Sequence, residues 1–290
     1  MPNGINKQLL AESYGFSAAM LNSNPELKRL FNKAVKENWA PDMFVARVRG
    51  TKWYKKTSET VRNAQVQKKS DPGTYKAQVD QQNARVTILA RELGSQMPAK
   101  AIRKMAETAY QHGWDDNQLR RHLAASVRRT SAGLLEGQAG EWERQWREYA
   151  GSMGLSYTPY QYGTWARKAT KGSMTPEDVL GLMQHAAKSR YPQFAGRIAK
   201  GESMDDIAQP YRQTIGELLE VDPASIPLSG RLLQKGLNQR TKKGDPTSMP
   251  LYKFEDVVRQ DPRWRQTDNA KKSGDEMVRQ LGTLFGKVAG

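Results

Sequence analysis

The sequence of 290 residues contains no cysteine, only three histidines and no long apolar run. The absence of cysteine excludes disulfide bonds, zinc sites with thiolate ligands and cysteine nucleophiles. No segment approaches the roughly 20 apolar residues that a helix needs to cross a membrane. The first residues, Met1 to Lys7, lack the apolar core of a signal peptide, so we expect synthesis in the cytoplasm without a membrane span.

Motifs for nucleotide and metal chemistry are also missing. The phosphate loop Gly-x-x-x-x-Gly-Lys-[Ser/Thr] does not occur. The three histidines, His112, His122 and His185, lie far apart and show none of the ligand spacings of metal motifs, so we expect them to face solvent. These observations predict a protein with no catalytic residues, no cofactor and no metal, and therefore not an enzyme.

One short motif points to an enzyme class. Gly181-Leu182-Met183-Gln184 resembles the Gly-Leu-Met-Gln motif of lytic transglycosylases, which cleave peptidoglycan. In that family a catalytic Glu followed by Ser lies on an upstream helix, whereas Glu202-Ser203 lies downstream and Glu12-Ser13 is much too distant. We therefore interpret the match as the middle of a helix whose Leu182 or Met183 faces the core, with peptidoglycan cleavage as an alternative function.

Positive charge is what the chain has in excess. The 46 Lys and Arg residues outnumber the 30 Asp and Glu residues, which gives a net charge of +16 and an isoelectric point near 9.9. Such a balance favours a polyanionic partner, which can be nucleic acid, an anionic membrane face or an acidic protein surface. Hydrophobic residues make up 37% of the chain and the mean hydropathy is −0.79, which indicates a sparse core.

Helix start signals recur along the whole chain. A small polar residue, with Pro or an acidic residue among the three residues after it, precedes apolar residues at helical spacing at Asn24, at Thr57 or Ser58, and at Asp71, Thr175 and Ser203. No run of alternating residues is long enough for a sheet. The fold class is therefore predicted as all-α, either an elongated multi-helix array or two helical lobes, with little or no sheet.

Four segments are expected from the punctuation of the chain. They are an N-terminal helical lobe at 1–96, central helices at 97–150, a linker-like segment at 151–174 and a C-terminal helical lobe at 175–290. The linker is predicted because residues 151–173 are rich in Gly, Ser, Tyr and Thr and contain Pro159.

A faint internal repeat connects the two ends of the chain. Phe44-x3-Val48-Arg49 is followed by Trp53 to Lys55 and Thr57, and Phe254-x3-Val258-Arg259 is followed by Arg263 to Arg265 and Thr267 at the same spacing. Each copy predicts a short helix, a tight connection and a capped second helix. A duplicated hairpin and a chance match both explain this pattern.

Three basic clusters are candidate contacts for nucleic acid or an acidic partner. Their leading members are Arg47, Arg49, Lys52, Lys55 and Lys56, then Arg120, Arg121, Arg128 and Arg129, and then Arg240, Lys242 and Lys243. Clustered cations suit sequence-independent phosphate contact, while a solvated helix face is the alternative. The aromatic residues Trp53, Tyr54, Trp142, Trp146 and Trp264 are predicted as packing anchors.

The two ends of the sequence resemble a family of virion proteins. The N-terminal motifs are Tyr14-Gly15-Phe16, Asn24 to Leu27, Trp53 to Thr57 and Ser70-Asp71-Pro72, and the C-terminal motifs are Gly201 to Ala208, Pro210-Tyr211, Leu219 to Pro223, Asp261 to Trp264 and Thr267 to Ala270. Together they are similar to segments of structural or internal virion proteins of tailed actinobacterial phages. The resemblance leaves out the region around residues 97–170.

That resemblance implies a protein of the phage head or tail, associated with tape-measure or ejected proteins. It implies that the protein is located in the virion and that its partners are other virion proteins in a symmetric homo- or hetero-oligomeric assembly. Contact with packaged or translocating DNA is left open by the resemblance. A free, non-specific nucleic-acid-binding protein is the alternative hypothesis.

Overall fold

The computed structural model describes residue 21 and residues 24–284. It confirms the all-α prediction, because this part of the chain contains fifteen α-helices and only one small sheet of two strands. The helices, in chain order, are α1 Pro25–Lys36, α2 Pro41–Arg49, α3 Lys52–Lys56, α4 Glu59–Ser70, α5 Pro72–Leu93, α6 Ala99–His112, α7 Asp116–Leu123, α8 Gly137–Ser152, α9 Pro159–Lys171, α10 Pro176–Arg190, α11 Ala195–Ala199, α12 Met204–Leu219, α13 Arg231–Leu237, α14 Leu251–Arg259 and α15 Asp268–Leu284.

Short 3-10 turns and one hairpin complete the described part. The 3-10 turns are Ala124–Ser126, Pro192–Phe194, Pro223–Ser225 and Pro262–Gln266. The strands β1, Gln239–Arg240, and β2, Pro246–Thr247, pair antiparallel, with Gln239 opposite Thr247.

The helices begin at the caps that the sequence signals. The side chains of Asn24, Ser58 and Asp71 each accept a hydrogen bond from a backbone N–H of the following turn, at 2.7, 3.3 and 3.0 Å. Thr175 and Ser203 form full capping boxes with the residue three positions later. These bonds satisfy N–H groups that the first helical turn leaves without a partner, so they fix where each helix starts.

The chain forms two compact units, each of which is built from two separate segments. One unit contains residues 1–143 and 163–174, and the other contains residues 144–162 and 175–290. These units differ from the segments predicted at 1–96, 97–150, 151–174 and 175–290, because α6 and α7 of the predicted central segment share one unit with the N-terminal helices. Long-range packing of these helices decides the grouping, and turn composition does not reveal it.

The segment 151–174 is not a linker but is largely helical. Helix α9 occupies Pro159–Lys171, and Pro159 stands at its first position, where its missing N–H costs nothing. Thr158 and Gln161 close a capping box, since each side chain accepts a bond from the other's backbone N–H, at 3.3 and 2.8 Å. Buried Tyr162, Ala166 and Thr170 then hold one face of the helix.

The first unit has several small cores. Leu27 and Phe31 of α1 pack with Phe44 and Val48 of α2 and with Trp53 of α3. A second core joins α5, α6 and α7 through nine buried residues, which are Val86, Leu89, Ala90, Leu93, Ile102, Ala106, Ala109, Leu119 and Leu123. The sparse apolar content of the sequence is thus distributed over separate clusters.

The second unit has one larger core. Helix α12 contributes Ile207, Tyr211 and Ile215, against which α13 and α14 pack. Gly236 of α13 allows this approach, because a Cβ atom there would lie 2.7 Å from the ring of Tyr211 and 2.8 Å from that of Phe254.

The two copies of the internal repeat have similar local structure. Each begins with a helix of nine residues, α2 or α14, and continues into a short helical segment of five residues, which is α-helical at Lys52–Lys56 and a 3-10 turn at Pro262–Gln266. Thr51 and Asp261 cap that turn, and the hydroxyls of Thr57 and Thr267 close it by donating to a backbone carbonyl at 2.7 Å in both copies. The repeat is therefore a repeat of structure as well as of residues.

Candidate binding surfaces

The first basic cluster forms an exposed cationic surface around the turn between α2 and α3. Arg47, Arg49, Lys52, Lys55 and Lys56 are all exposed, and none pairs with a carboxylate of the described residues. The three lysines of α3 lie within about 100° of one another around the helix axis, at 3.6 residues per turn. Neighbouring charges of one sign on one face repel each other, which an anionic partner would relieve.

The aromatic residues beside this surface pack inward. Trp53 is buried, and its indole N–H donates to Gln65 at 3.0 Å. Tyr54 is half-buried, and the guanidinium of Arg62 lies 4.0 Å from the centre of its ring. Glu26 of α1 accepts the backbone N–H groups of Lys52 and Trp53, each at 3.2 Å, and so holds α3 against α1.

The second basic cluster divides into cations with different roles. Arg121 and Arg128 are exposed, and Arg120 is half-buried. Arg129 donates to Glu143 at 2.7 Å and to the carbonyl of Gly133 at 2.8 Å. The side chain of Glu143 is only 8% exposed, so the guanidinium of Arg129 pairs with a buried carboxylate. This pairing distinguishes Arg129 from the other predicted contacts of the cluster.

A cleft in the first unit gathers four cations that the sequence did not connect. Arg121, Ala124 and Ala125 line one side, and Thr164, Arg167, Lys168 and Lys171 of α9 line the other, around about 290 Å³. Among the residues that the structure describes, no carboxylate lines the cleft. Three of these cations were missed because α9 was predicted to be a linker.

The third basic cluster lies on the hairpin of the second unit. Lys242 and Lys243 occupy its exposed tip, between β1 and β2. Arg240 donates to the carbonyl of Gly244 at 2.9 Å, which stabilises the turn and leaves the cation exposed. The loop also carries Asp245, so this cluster has less net charge than the first.

A separate groove of the second unit combines an apolar floor with charged edges. It has a volume of about 550 Å³ and is lined by Ile215, Val221, Ser225, Ile226, Pro227, Gly230, Arg231, Leu232, Leu233, Lys235, Asp261 and Arg263. Asp261 and Arg263 pair with each other at 2.9 Å, and this ion pair lowers the pKa of the Asp261 carboxyl.

The remaining predicted packing anchors are buried or half-buried. Trp146 is 1% exposed, Trp142 is half-buried, and Trp264 is half-buried against the core of the second unit.

Helix α15 carries exposed apolar side chains. Met277, Val278 and Leu281 of this helix are 62%, 69% and 46% exposed. A cluster of exposed apolar side chains on one helix is typical of a surface that contacts another protein.

A small polar network in the first unit perturbs three titratable groups. The ammonium of Lys68 donates to Glu107 at 2.7 Å, and the hydroxyl of Tyr75 donates to the same carboxylate at 3.0 Å. The bond to Glu107 raises the pKa of Lys68, and the same bond lowers the pKa of Glu107. Burial raises the pKa of Tyr75. The shifts of Lys68 and Glu107 follow from an ion pair that connects α4 to α6.

The motif Gly181 to Gln184 lies inside α10. Met183 is fully buried in the core, Leu182 is 48% exposed, and the amide of Gln184 donates to the carbonyl of Ile198 at 3.0 Å. His112, His122 and His185 are all exposed. Within residues 21 and 24–284, no three histidine or acidic side chains group as a metal site, and no helix of that part is long and apolar enough to cross a membrane.

Comparisons with known proteins identify no relative of this chain. No protein-family model, curated protein or solved structure matches the chain.

Proposed function

We propose that the chain is a structural or internal virion protein of a tailed phage, which acts by assembly and contacts DNA through its cations. The virion assignment is supported by the resemblance of the N-terminal and C-terminal motifs. Those motifs include the cap Asn24, the short helix α3 and the capped start of α12, which are features of the scaffold.

The observation that carries the binding part of the proposal is the state of the cations. Of the twelve predicted basic contacts, Arg129 alone pairs with a carboxylate among the described residues. A long cationic side chain that has no local counter-ion is available to pair with an anionic partner. Sequence-independent contact with phosphates requires only such exposed, unpaired cations.

Assembly with other virion proteins is supported by the apolar residues of α15. Met277, Val278 and Leu281 expose side chains that a helix of a monomer usually covers. A symmetric assembly offers each copy the same contact, so a short apolar patch repeated many times stabilises a large particle.

Mass spectrometry of purified particles of the phage that encodes the chain tests the virion assignment. We expect the chain in the particle at a defined copy number. A small number that matches a ring symmetry would indicate a connector or tail component, whereas a large number would indicate an abundant internal protein. Absence from the particle would refute the virion assignment.

A free nucleic-acid-binding protein is the second candidate, because the same cations support it. It differs in location: such a protein would bind DNA in solution and remain outside the particle. DNA binding that weakens as salt rises, measured for the purified chain, tests the contact that both candidates share. A blank zymogram with peptidoglycan would remove the alternative of peptidoglycan cleavage.

A further inference from the structure

The cleft between α7 and α9 has a cationic lining that its scaffold does not require. On α9, Thr164, Arg167, Lys168 and Lys171 follow the spacing i, i+3, i+4 and i+7, which places them on one side of the helix. The opposite side of the helix contains the buried residues Tyr162, Ala166 and Thr170. The helix therefore packs through one face and presents a polar, positively charged face to the cleft.

Local interactions account for only part of this lining. Lys168 and Lys171 lie in the last turn of α9, where cations favour the helix dipole. Arg121 likewise lies in the last turn of its own helix, α7, whereas Arg167 lies outside the last turn of α9. The helix dipoles do not explain why cations of two different helices line one cleft. Among the described residues no carboxylate pairs with any of the four cations. Four like charges around about 290 Å³ repel one another, so an anion in the cleft would stabilise the first unit.

The shape and chemistry of the cleft favour a phosphodiester group. Ala124 and Ala125 are small and leave room between the longer side chains. The guanidinium of Arg121 offers a planar fork that suits phosphate oxygens, while Lys168 and Lys171 act as mobile point charges. Arg167 is steadied by its bond to the hydroxyl of Thr164 at 3.2 Å. In the described part of the chain no aromatic side chain lines the cleft, so its described lining offers no platform for stacking unpaired bases.

We infer that the cleft lined by Arg121, Arg167, Lys168 and Lys171 binds the backbone phosphates of duplex DNA without reading its sequence. This inference rests on the DNA contact of the proposed function and assigns that contact to a site. An acidic protein segment is the competing occupant, and the experiments below separate the two.

The first test compares two variants of the full chain that lose the same charge. The cleft variant combines Arg121→Gln, Lys168→Gln and Lys171→Gln. The control variant combines Lys36→Gln, Lys76→Gln and Lys100→Gln, which are exposed cations of the first unit outside the cleft. Binding of a short labelled duplex is measured by fluorescence anisotropy at rising salt, and circular dichroism checks that both variants are folded.

We expect the cleft variant to bind about tenfold more weakly than wild type, and its salt dependence to fall by about one unit of slope for each lost phosphate contact. The control variant should stay within about twofold of wild type, because it changes net charge alone. Equal weakening of the two variants would overturn the inference, since the effect would then be one of net charge.

The second test needs no substitution. Lysines of the wild-type chain are acetylated with and without duplex DNA, and mass spectrometry measures the extent at each position. Protection of Lys168 and Lys171, with Lys76 unprotected, supports the inference. Uniform protection of all lysines overturns the inference. Protection by poly-glutamate that equals protection by DNA at matched charge also overturns it, because the cleft would then be assigned to an acidic protein segment.

The outcomes separate this inference from the proposed function. Undiminished DNA binding by the cleft variant would overturn the inference and leave DNA contact through the surface around α3. Absence of salt-dependent binding by wild type would remove DNA contact altogether, including this site. Neither result affects the virion assignment, which particle mass spectrometry tests by itself.

Discussion

Replacing Arg129 with methionine should destabilise the first unit, although a cation in a basic cluster is ordinarily replaceable. Arg129 donates to Glu143, whose residue is 6% exposed, and to the carbonyl of Gly133. Methionine keeps most of the apolar stem of arginine but removes the guanidinium from both acceptors. The carboxylate would then be left in a poorly hydrated position without this cation.

The magnitude follows from the burial of the pair. Removing one partner of a fully buried ion pair costs about 3–5 kcal/mol. The side chain of Arg129 is 24% exposed, so water screens part of the charge and we expect about 2 kcal/mol. For a unit of this size, such a loss lowers the melting temperature by about 4–8 °C.

Equilibrium urea denaturation, followed by circular dichroism, measures this loss. Arg128→Met is the matched control, because Arg128 is the exposed neighbour and should change stability by less than about 0.5 kcal/mol. The double variant Arg129→Met with Glu143→Leu should recover much of the loss, since it removes the buried charge together with its partner. If Arg129→Met were as stable as Arg128→Met but bound DNA more weakly than wild type, Arg129 would be a ligand contact that contributes nothing to the stability of the first unit.

Three further changes test the packing and the ion pairs. Gly181→Ala should stabilise α10 by about 0.5–1 kcal/mol in thermal melts, because a Cβ there meets no atom within 4 Å; a loss of stability would contradict this. Gly236→Ala should destabilise the second unit by about 1–3 kcal/mol in urea denaturation, because its Cβ overlaps two rings; no change would show that the rings yield easily. Glu107 has a lowered pKa beside Lys68, so its contribution is present above the usual carboxyl range and is lost as pH falls below about 4.5; Glu107→Gln should flatten that fall, and identical acid titrations would refute the assignment.

Much of the helical architecture was predictable because caps are local signals. Asn24, Ser58 and Ser203 each place a side-chain oxygen on an N–H only two or three residues away, so the sequence contains both partners. The left-handed Gly94 and Gly113 end α5 and α6 where glycine tolerates a positive φ.

The segment before α10 shows where composition misleads. Residues 151–173 are rich in residue types with modest helix propensity, and this composition predicted a linker. Thr158-Pro159-Tyr160-Gln161 nevertheless contains a capping signal, a Ser or Thr followed three residues later by Gln, with Pro at the first helical position. Giving that signal more weight than composition would have identified α9 and, with it, Arg167, Lys168 and Lys171.

The candidate site was less predictable than the fold because its residues come from distant parts of the sequence. Arg121 and Lys171 line one cleft although 50 positions separate them, and no periodicity within either helix shows that they meet. The role of Arg129 depended on the burial of Glu143, which only long-range packing decides. The sequence shows which side chains carry positive charge, whereas only the structure shows which of them pair with a carboxylate.

The division of the chain between the two units also has a consequence for the order of synthesis. The first unit draws on residues 163–174, so a ribosome must complete the intervening stretch 144–162 of the other unit before the first can close. No single cut between residues 143 and 175 separates two whole units, and an early stop in that interval leaves both incomplete. During synthesis, the packing of α1 to α7 in the first unit therefore stays incomplete until α9 emerges from the ribosome.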